Sequence, residues 1–327
     1  MSDKSLVVGD IGGTNARFAL ANRAHPGVRE IVELKCADFE TSGAAIHHFL
    51  DMVGAPRPAA MCLAAAGPIV DGSINVTNNH WTVSTAALAS EFDVDLISLL
   101  NDFEAIAYSL PFLGAEDRLA IGPNQGVDIA DRPFDVAVLG PGTGLGVAGL
   151  CGRRRELVAV TGEGGHVGFA PETELQVRVL EFLRTRFERV SAERLVAGSG
   201  IENIHAALVE IHGSGEVTLS APEIFAAAAN GESATAQEAI EVFFEILGQV
   251  AGDLALTLGA TDGVYIAGGI ARRYPDLLAK SPFRAAFDAK GRHRGIMERI
   301  PTFLIMHEQP GLLGASYLAQ ELAATAN

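Results

Sequence analysis

Cysteine is scarce in this chain, and the close spacing of metal-binding cysteines is missing. The 327 residues contain three cysteines, Cys36, Cys62 and Cys151, which lie far apart in the sequence. Zinc sites use closely spaced cysteine and histidine ligands, so no structural zinc is expected. Few, scattered cysteines are also typical of a reducing compartment, which predicts a cytoplasmic protein.

Long apolar runs are missing as well. A membrane-spanning helix needs about 18 or more consecutive apolar residues, and the sequence contains no such run. The first residues lead into a candidate strand without the apolar region of a secretory signal. A membrane partner is therefore not expected, although apolar residues make up 48% of the chain and can form a substantial core.

Positive charge is in deficit. The chain has 24 Lys and Arg against 40 Asp and Glu, for a net charge of −16. Such a chain repels polynucleotides unless it has a local basic patch. The one evident cluster, Arg153-Arg154-Arg155, lies between two apolar runs and is interpreted as a solvated hairpin turn. Nucleic acid is therefore not an expected partner.

Glycine is plentiful, and much of it lies in two glycine-threonine loops. They are Gly9-Asp10-Ile11-Gly12-Gly13-Thr14-Asn15-Ala16-Arg17, the first loop, and Gly140-Pro141-Gly142-Thr143-Gly144-Leu145-Gly146, the second loop. Short apolar runs on both sides of each loop predict strand, turn, strand. Glycine lets backbone N–H groups approach a ligand, and threonine adds a hydroxyl donor. The pair predicts a nucleotide whose phosphates are held from both sides.

Other nucleotide motifs fit these loops poorly. A dinucleotide fingerprint needs G-x-G-x-x-G at the start of a helix, but Thr143 occupies the middle of the second loop and a strand follows it. A P-loop needs a lysine after its last glycine, and neither loop has one. Two structural hairpins without a ligand remain the alternative, which the presence of both loops disfavours.

Short apolar runs alternate with turns and predict an α/β fold with a mixed sheet. The pattern begins with three strands and a helix, and starts again near residue 134 with more helices after it. Predicted strands are Leu6–Val8, Arg17–Ala21, Glu30–Lys35, Ala59–Ala66, Ile74–Thr77, Leu96–Leu100, Phe134–Leu139, Gly146–Leu150, Glu156–Val160, Gly263–Ala267 and Thr302–Met306. Predicted helices are 43–52, 84–91, 102–110, 172–188, 200–212, 222–230, 234–258 and 311–322.

Three further segments place polar side chains among apolar residues or glycines. Each has a structural alternative: an Asn-Asp pair often caps a helix, a lone histidine is often a satisfied structural group, and Ser or Arg near Glu193 suits a helix end. The segments carry Asn101 and Asp102, Glu163 and His166, and Glu193.

Together these segments resemble the bacterial ATP-dependent glucokinases that lack the zinc motif of the repressor-type sugar kinases. The similarity runs from Asp10 to the C-terminus. Pro141 departs from the pattern, because the family commonly has a small residue there and proline removes one backbone N–H. The matching stretches are NDF at 101–103, GTGLG at 142–146, GEGGHVGFAP at 162–171, SAERL at 191–195, IAGGI at 266–270, FRAAFDAKGR at 283–292 and PGLLGA at 310–315.

The resemblance implies a duplicated actin-like (ribonuclease H-like) ATPase fold with two α/β domains around a central cleft. The smaller domain is expected to comprise residues 1–112 and 303–327 and to carry the first loop. The larger domain, residues 113–302, is expected to carry the second loop and the sugar-binding Glu and His. The last helix is expected to pack back onto the smaller domain, and a homodimer is implied.

The resemblance also implies phosphoryl transfer from Mg-ATP to the 6-hydroxyl of glucose, the first step of glycolysis. Asp102 matches the family's general base, which accepts the proton of the attacking hydroxyl. Asp10 is expected near Mg²⁺, through water. The expected sugar ligands are Asn101, Asp102, Glu163, His166 and Glu193, and the expected nucleotide-binding residues are Gly9, Asp10, Ile11, Gly12, Gly13, Thr14, Asn15, Arg17, Gly142, Thr143, Gly144, Gly268 and Gly269.

Three other functions are alternatives to this one. A kinase of mannose, fructose or an N-acetylated hexosamine would use the same loops. A sugar-sensing regulator needs a helix-turn-helix segment before the first loop, for which the nine residues before Asp10 leave no room. An actin-type ATPase would not need Glu163, His166 and Glu193.

Overall fold

A computed structural model describes residues 5–130, 132–153 and 156–325. Arg154 and Arg155, within the predicted solvated turn, lie outside the described residues. The strands are β1 (Ser5–Ile11), β2 (Asn15–Ala21), β3 (Val28–Lys35), β4 (Pro58–Ala65), β5 (Ile69–Val70), β6 (Ser73–Asn75), β7 (Thr82–Ser84), β8 (Ile97–Asn101), β9 (Arg118–Ala120), β10 (Phe134–Pro141), β11 (Leu145–Arg153), β12 (Glu156–Thr161), β13 (Gly263–Ile266) and β14 (Thr302–Ile305).

The helices are longest in the second half of the chain. Short 3-10 turns also occur, including Gly164–His166 and Ala192–Arg194. The α-helices are α1 (Ser42–Met52), α2 (Thr85–Phe92), α3 (Asp102–Ser109), α4 (Glu174–Arg184), α5 (Gly198–His212), α6 (Ala221–Ala229), α7 (Ala234–Leu258), α8 (Gly269–Arg273), α9 (Pro275–Lys280), α10 (Phe283–Asp288), α11 (Arg294–Met297) and α12 (Pro310–Thr325).

The chain divides into two compact units. Strand β14 pairs in parallel with β13, so the chain returns to the first unit at residue 307 instead of at the predicted residue 303. The first unit consists of Met1–Gly114, Leu157–Thr161 and His307–Asn327, and the second of Ala115–Glu156 and Gly162–Met306.

The first unit is built on a five-stranded sheet with the order β3-β2-β1-β4-β8. Strands β1, β4 and β8 run parallel, and β2 and β3 are antiparallel additions. Parallel strands covered on both faces are almost continuously apolar, and β4 is buried along nearly its whole length. Phe18 and Phe49 lie in the core on one face of this sheet, while Leu6 and Val8 form a cluster with Leu312 of α12. The last helix thus packs where it was expected.

The second unit repeats this beginning. Antiparallel β10 and β11 flank the second loop as β1 and β2 flank the first, and β13 and β14 then extend β10 in parallel. The order within the unit is β11-β10-β13-β14-β9. Its core is mainly helical. Helix α7 packs closely on α10 because Gly248 has no side chain, and a Cβ there would overlap the carbonyl of Phe283.

Short elements were the ones that the sequence did not predict. They are β5, β7, β9 and the helices α8 to α11, each too short to show a hydrophobic period. Helix α4 is also shorter than the predicted 172–188, since it begins at Glu174 and turn and bend backbone follows Arg184. Within the described ranges, no helix is long and apolar enough to cross a membrane.

Candidate active site

The first loop is held by a side chain that is distant in the sequence. Gly12 N–H donates to the carbonyl of Asn15 at 2.9 Å, which closes the turn between β1 and β2. Asn79 Nδ2 donates to the carbonyl of Gly12 at 3.1 Å. The Trp81 N–H in turn donates to Asn79 Oδ1 at 3.1 Å, so both ends of the Asn79 amide are engaged. This loop therefore rests on a fixed support.

A buried thiol lies beside the same loop. The Cys36 N–H donates to the carbonyl of Thr14 at 2.9 Å, and its Sγ lies 3.8 Å from the carbonyl oxygen of Gly12. Burial raises the pKa of the Cys36 thiol. A Cβ at Gly13 would lie 3.0 Å from the carbonyl of Thr77, so glycine suits this crowded backbone. Thr14 itself is exposed.

Asp10 is a partly buried carboxylate at the end of β1. Its burial raises its pKa, and the positive charge of Arg17 lowers the pKa by less. A Cβ at Gly311 would lie 3.1 Å from Asp10 Oδ2, so the first turn of α12 reaches this carboxylate. A helix N-terminus favours negative charge. The ionised Asp10 is nevertheless under-compensated by its surroundings.

The remaining first-loop residues divide between core and surface. Gly9 and Ile11 are buried in β1, and a Cβ at Gly9 would crowd Phe18. Packing therefore suffices to explain Gly9. Asn15 and Arg17 both reach Glu33, with an Arg17 Nη2 to Glu33 Oε2 distance of 2.5 Å.

Asn101 and Asp102 lie at the same edge of the sheet as the first loop. Strands β1, β4 and β8 are parallel and bring Ile11, Ala65 and Asn101 into register. The space beyond the carboxyl ends of such strands is where α/β folds bind ligands. The first loop and Asp102 are thus on one side of one unit.

Asn101 is also a helix cap, as the structural alternative supposed. Its Oδ1 accepts from the Phe103 N–H at 2.9 Å, and its own N–H donates to Glu104 Oε2 at 3.3 Å, which forms a capping box. Its Nδ2 donates to the carbonyl of Gly67 at 3.3 Å. This network fixes the corner at which Asp102 begins α3.

The second loop is tightly folded on its own backbone and on a neighbouring strand end. The Gly142 N–H donates to the Gly144 carbonyl at 2.8 Å, and the Gly198 N–H donates to the Gly142 carbonyl at 2.9 Å. Gly268 has a φ of +95°, and a Cβ there would overlap the Pro141 carbonyl. Gly268 thus serves the packing of the loop, whereas Gly269 starts α8 with open space around it. Thr143 is exposed.

Two segments of the second unit bring together the expected sugar-binding residues. The Ala192 N–H donates to the Val167 carbonyl at 2.9 Å, and the Phe169 N–H donates to the Val190 carbonyl at 3.2 Å. Arg189 Nη1 adds a hydrogen bond to the backbone carbonyl of His166 at 2.7 Å. The two segments are therefore locked side by side by backbone pairing.

This pairing places Glu163, His166 and Glu193 near one another in the backbone, and the side chains of His166 and Glu193 face each other. His166 Nδ1 lies 3.9 Å from Glu193 Oε1. The His166 N–H donates to the Glu163 carbonyl at 3.0 Å, which closes the turn between those two residues. Glu163 and His166 are exposed, and Glu193 is half-buried. All three can be reached by a polar ligand.

Glu193 has a second contact, at the second loop. Its Oε2 accepts the Leu145 N–H at 2.9 Å. A Cβ at Gly144 would overlap the same oxygen.

A separate cavity of about 160 Å³ lies behind the segment that carries His166. Its wall is mainly apolar and includes Val147, Val167 and Leu254, with Gln249 as a polar member. Glu163, His166 and Glu193 are not part of its lining. The polar cluster and the cavity are therefore different features of the second unit.

Sequence reasoning missed three supports: Asn79, Arg189 and the bond from Leu145 to Glu193. Each acts through a contact between residues that are distant in the chain, and no local pattern marks it. Residues 5–130, 132–153 and 156–325 contain no group of three or more His, Cys, Asp or Glu able to hold a metal ion.

The chain is similar to known glucokinases over nearly its whole length. A protein from Nitrobacter hamburgensis that is named glucokinase is 41% identical to this chain over 316 residues, which cover 96% of this chain and 97% of the relative. The crystal structure of a glucokinase from an Antarctic psychrotroph has a TM-score of 0.88 at 33% identity and covers 98% of this chain and 100% of its own. A Balamuthia mandrillaris glucokinase in complex with glucose has a TM-score of 0.77 at 25% identity, with coverages of 97% and 94%.

These similarities confirm the predicted two-domain, actin-like fold class. The glucokinase family model matches residues 7–322, nearly the whole described chain. The chain belongs to the glucokinase family.

Proposed function

We propose that this protein transfers the terminal phosphoryl group of ATP to the 6-hydroxyl of glucose. The observation that carries the proposal is Asp102, a carboxylate at the first turn of α3, at the same sheet edge as a phosphate-type loop, in a chain of this family. A similar glucokinase has been solved with glucose bound. Kinases of other hexoses are not favoured by any relative described above.

Asp102 would act as the general base. It accepts the proton of the 6-hydroxyl while the sugar oxygen attacks the γ-phosphorus. The bond between that phosphorus and the bridging oxygen breaks, and ADP leaves. A correctly placed base contributes roughly 10²–10⁴-fold to such a reaction. The N-terminal turn of α3 favours the negative charge that this role requires.

The remaining polar side chains would select the sugar. We assign Asn101, Asp102, Glu163, His166 and Glu193 as its ligands. Side chains held by backbone pairing and caps cannot rotate to suit every epimer, and a mismatched hydroxyl leaves a buried group unpaired. Asn101 Nδ2 and Oδ1 already have protein partners, so its contribution to binding is through a shared hydrogen bond.

The two loops would hold the nucleotide. Thr14 and Thr143 are exposed at the tips of their loops and offer hydroxyl donors to phosphate oxygens. The Gly12 and Gly142 N–H groups close their own turns, so we assign the backbone contacts with phosphate mainly to the turns at Gly13 and Gly144. We assign the backbone near Gly269 to the adenosine, since open space surrounds that glycine.

The donor set fits Mg²⁺ bound mainly by the substrate. Mg²⁺ keeps much of its water and uses few protein carboxylates when phosphates are present. Asp10 offers one carboxylate whose charge is under-compensated, and we propose that it holds the ion through water. When bound, Mg²⁺ neutralises charge on the phosphates.

The first experiment measures ADP release from Mg-ATP with glucose, mannose, fructose, N-acetylglucosamine or no sugar. We expect turnover with glucose that greatly exceeds every other condition. Turnover with only one of the other sugars would mean that this sugar, and not glucose, is the substrate. ATP hydrolysis at the same rate with and without sugar would favour an actin-type ATPase.

The Asp102→Asn variant tests the base. We expect kcat to fall roughly 10²–10⁴-fold with unchanged ATP binding, because the substitution keeps the shape and removes the proton acceptor. Near-normal turnover by the folded variant would contradict the assignment. A homodimer and a cytoplasmic location stay predictions, and light scattering of the purified protein tests the first.

A further inference from the structure

We infer that Glu193 positions the second phosphate loop as well as binding the sugar, so that one carboxylate serves both substrates. This inference rests on the proposed function. It concerns the two oxygens of one side chain, which face different parts of the second unit.

One carboxylate oxygen of Glu193 is hydrogen-bonded to the second loop. Glu193 Oε2 accepts the N–H of Leu145 at 2.9 Å, and Leu145 immediately follows the Gly142-Thr143-Gly144 turn. Leu145 is buried, with 5% of its surface exposed, and the hydrogen bond to Glu193 is partly buried. A buried N–H without an acceptor is costly. The loop therefore depends on this carboxylate for its conformation.

Gly144, which precedes Leu145, leaves room for the same contact. A Cβ at Gly144 would overlap Glu193 Oε2, so only glycine leaves room for the carboxylate there. Gly142 is different, because the nearest atom to a Cβ at that position is the Gly144 carbonyl oxygen at 4.0 Å. The requirement for glycine at 144 is thus set by Glu193.

The second oxygen belongs to the sugar side. Glu193 Oε1 is the atom that faces His166 Nδ1, at 3.9 Å. The backbone pairing of Ala192 with Val167 fixes this orientation. A sugar hydroxyl bound to Oε1 would restrict the carboxylate and, through Oε2, the Leu145 N–H. Glucose binding would therefore stiffen the second loop through a two-bond path.

The test separates the two roles by measuring nucleotide affinity with no sugar present. We would titrate AMPPNP with Mg²⁺ into the full-length protein and its variants by calorimetry. Glu193→Ala is expected to weaken AMPPNP binding roughly tenfold, since Leu145 loses its acceptor. Glu193→Gln keeps a carbonyl oxygen for Leu145 and is expected to bind AMPPNP within about twofold of the unmodified protein, while its KM for glucose rises about tenfold or more.

Glu163→Ala is the matched control. Glu163 is proposed as a sugar ligand, and no hydrogen bond or ion pair joins its side chain to the second loop among the described residues. We expect its KM for glucose to rise with an unchanged AMPPNP affinity. Equal AMPPNP affinity in Glu193→Ala and the unmodified protein would overturn the inference.

A reciprocal experiment approaches the contact from the loop. Gly144→Ala should displace the Glu193 carboxylate and raise the KM for glucose roughly tenfold, although residue 144 lies in a phosphate loop. Gly142→Ala should leave the KM for glucose unchanged, whatever it does to ATP. Thermal unfolding of each variant shows whether it is folded. A Gly144→Ala variant with normal KM for glucose would also overturn the inference.

Failure of the proposed function has a different signature. In that case the unmodified protein would fail to bind AMPPNP or to phosphorylate glucose. If it does both and only the Glu193 variants behave unexpectedly, the proposed function stands and the linking role of Glu193 is wrong.

Discussion

The first and second loops share a strand-turn-strand design but are supported in different ways. In the first loop, the Gly12 carbonyl accepts from Asn79, whose other end is held by the Trp81 N–H. In the second, the Leu145 N–H is held by Glu193, a proposed substrate ligand. One support is a neutral amide with both ends hydrogen-bonded, and the other is a carboxylate whose second oxygen faces His166 Nδ1 at 3.9 Å.

This difference shows that two loops of similar backbone design can be supported by side chains of different chemistry. A fully engaged support holds the first loop in one conformation whether or not a ligand is present. A support whose second oxygen lies beside a proposed sugar ligand, as Glu193 Oε1 lies beside His166, can transmit occupancy of the sugar site. The first loop adds a charge of its own, Asp10, whereas the second carries no acidic residue between Gly140 and Gly146.

Among changes to the two loops and their supports, the largest expected effect comes from removing the charge that distinguishes the first loop. Asp10→Asn should lower kcat/KM roughly 10²–10³-fold, as expected when a group that stabilises developing phosphate charge is lost. It should not lower the thermal unfolding temperature, because burial already disfavours the ionised carboxylate. Steady-state kinetics and thermal unfolding check both parts. Asp38→Asn, at an exposed aspartate of the same unit, should change neither.

The pH dependence gives this prediction its sign. The folded-state pKa of Asp10 is raised, so its ionised form destabilises the folded protein at neutral pH. The Asp10→Asn variant lacks this charge and is not destabilised in this way. As the pH falls through the raised folded-state pKa, the carboxyl of the unmodified protein becomes neutral. The stability difference between the two proteins should therefore shrink toward acidic pH. An Asp10→Asn protein that is less stable at neutral pH would contradict this reasoning.

An intermediate effect is expected from the support of the first loop. Asn79→Ala removes the donor to Gly12 and the acceptor for Trp81. The KM for ATP should rise roughly tenfold, in line with about 1–3 kcal/mol for a group left unpaired, while the KM for glucose stays unchanged. Asn75→Ala, which loses only an exposed hydrogen bond from Thr82, is the control. A parallel rise in the KM for glucose would erase the contrast between the loops.

The smallest effect is expected at Cys36. Its Sγ contact with the Gly12 carbonyl, at 3.8 Å, is a weak one. Cys36→Ala should change the KM for ATP less than about threefold and lower the free energy of unfolding by about 1 kcal/mol through lost burial. Cys62→Ala, also fully buried, should lose similar stability with no change in the KM for ATP. A large kinetic effect at Cys36 alone would place it beside Asn79 as a support.

Local patterns predicted the features that depend on neighbours in the chain. Both loops form turns between paired strands because their glycines and flanking apolar runs are adjacent in sequence. Asn101 and Asp102 lie at the expected corner between a strand and a helix. The helices α8 to α11 escaped prediction, since each is too short to repeat a pattern.

By itself, the sequence determined the fold class, the family and the two loops, because ordered motifs and hydrophobic periods are properties of nearby residues. Only the tertiary structure decided which side chains hold those loops. Asn79 meets Gly12 across 67 positions, and Glu193 meets Leu145 across 48. Only packing brings such partners within hydrogen-bonding distance. A backbone N–H or carbonyl can bond to any side chain of suitable chemistry, so the local sequence does not show which one it will be.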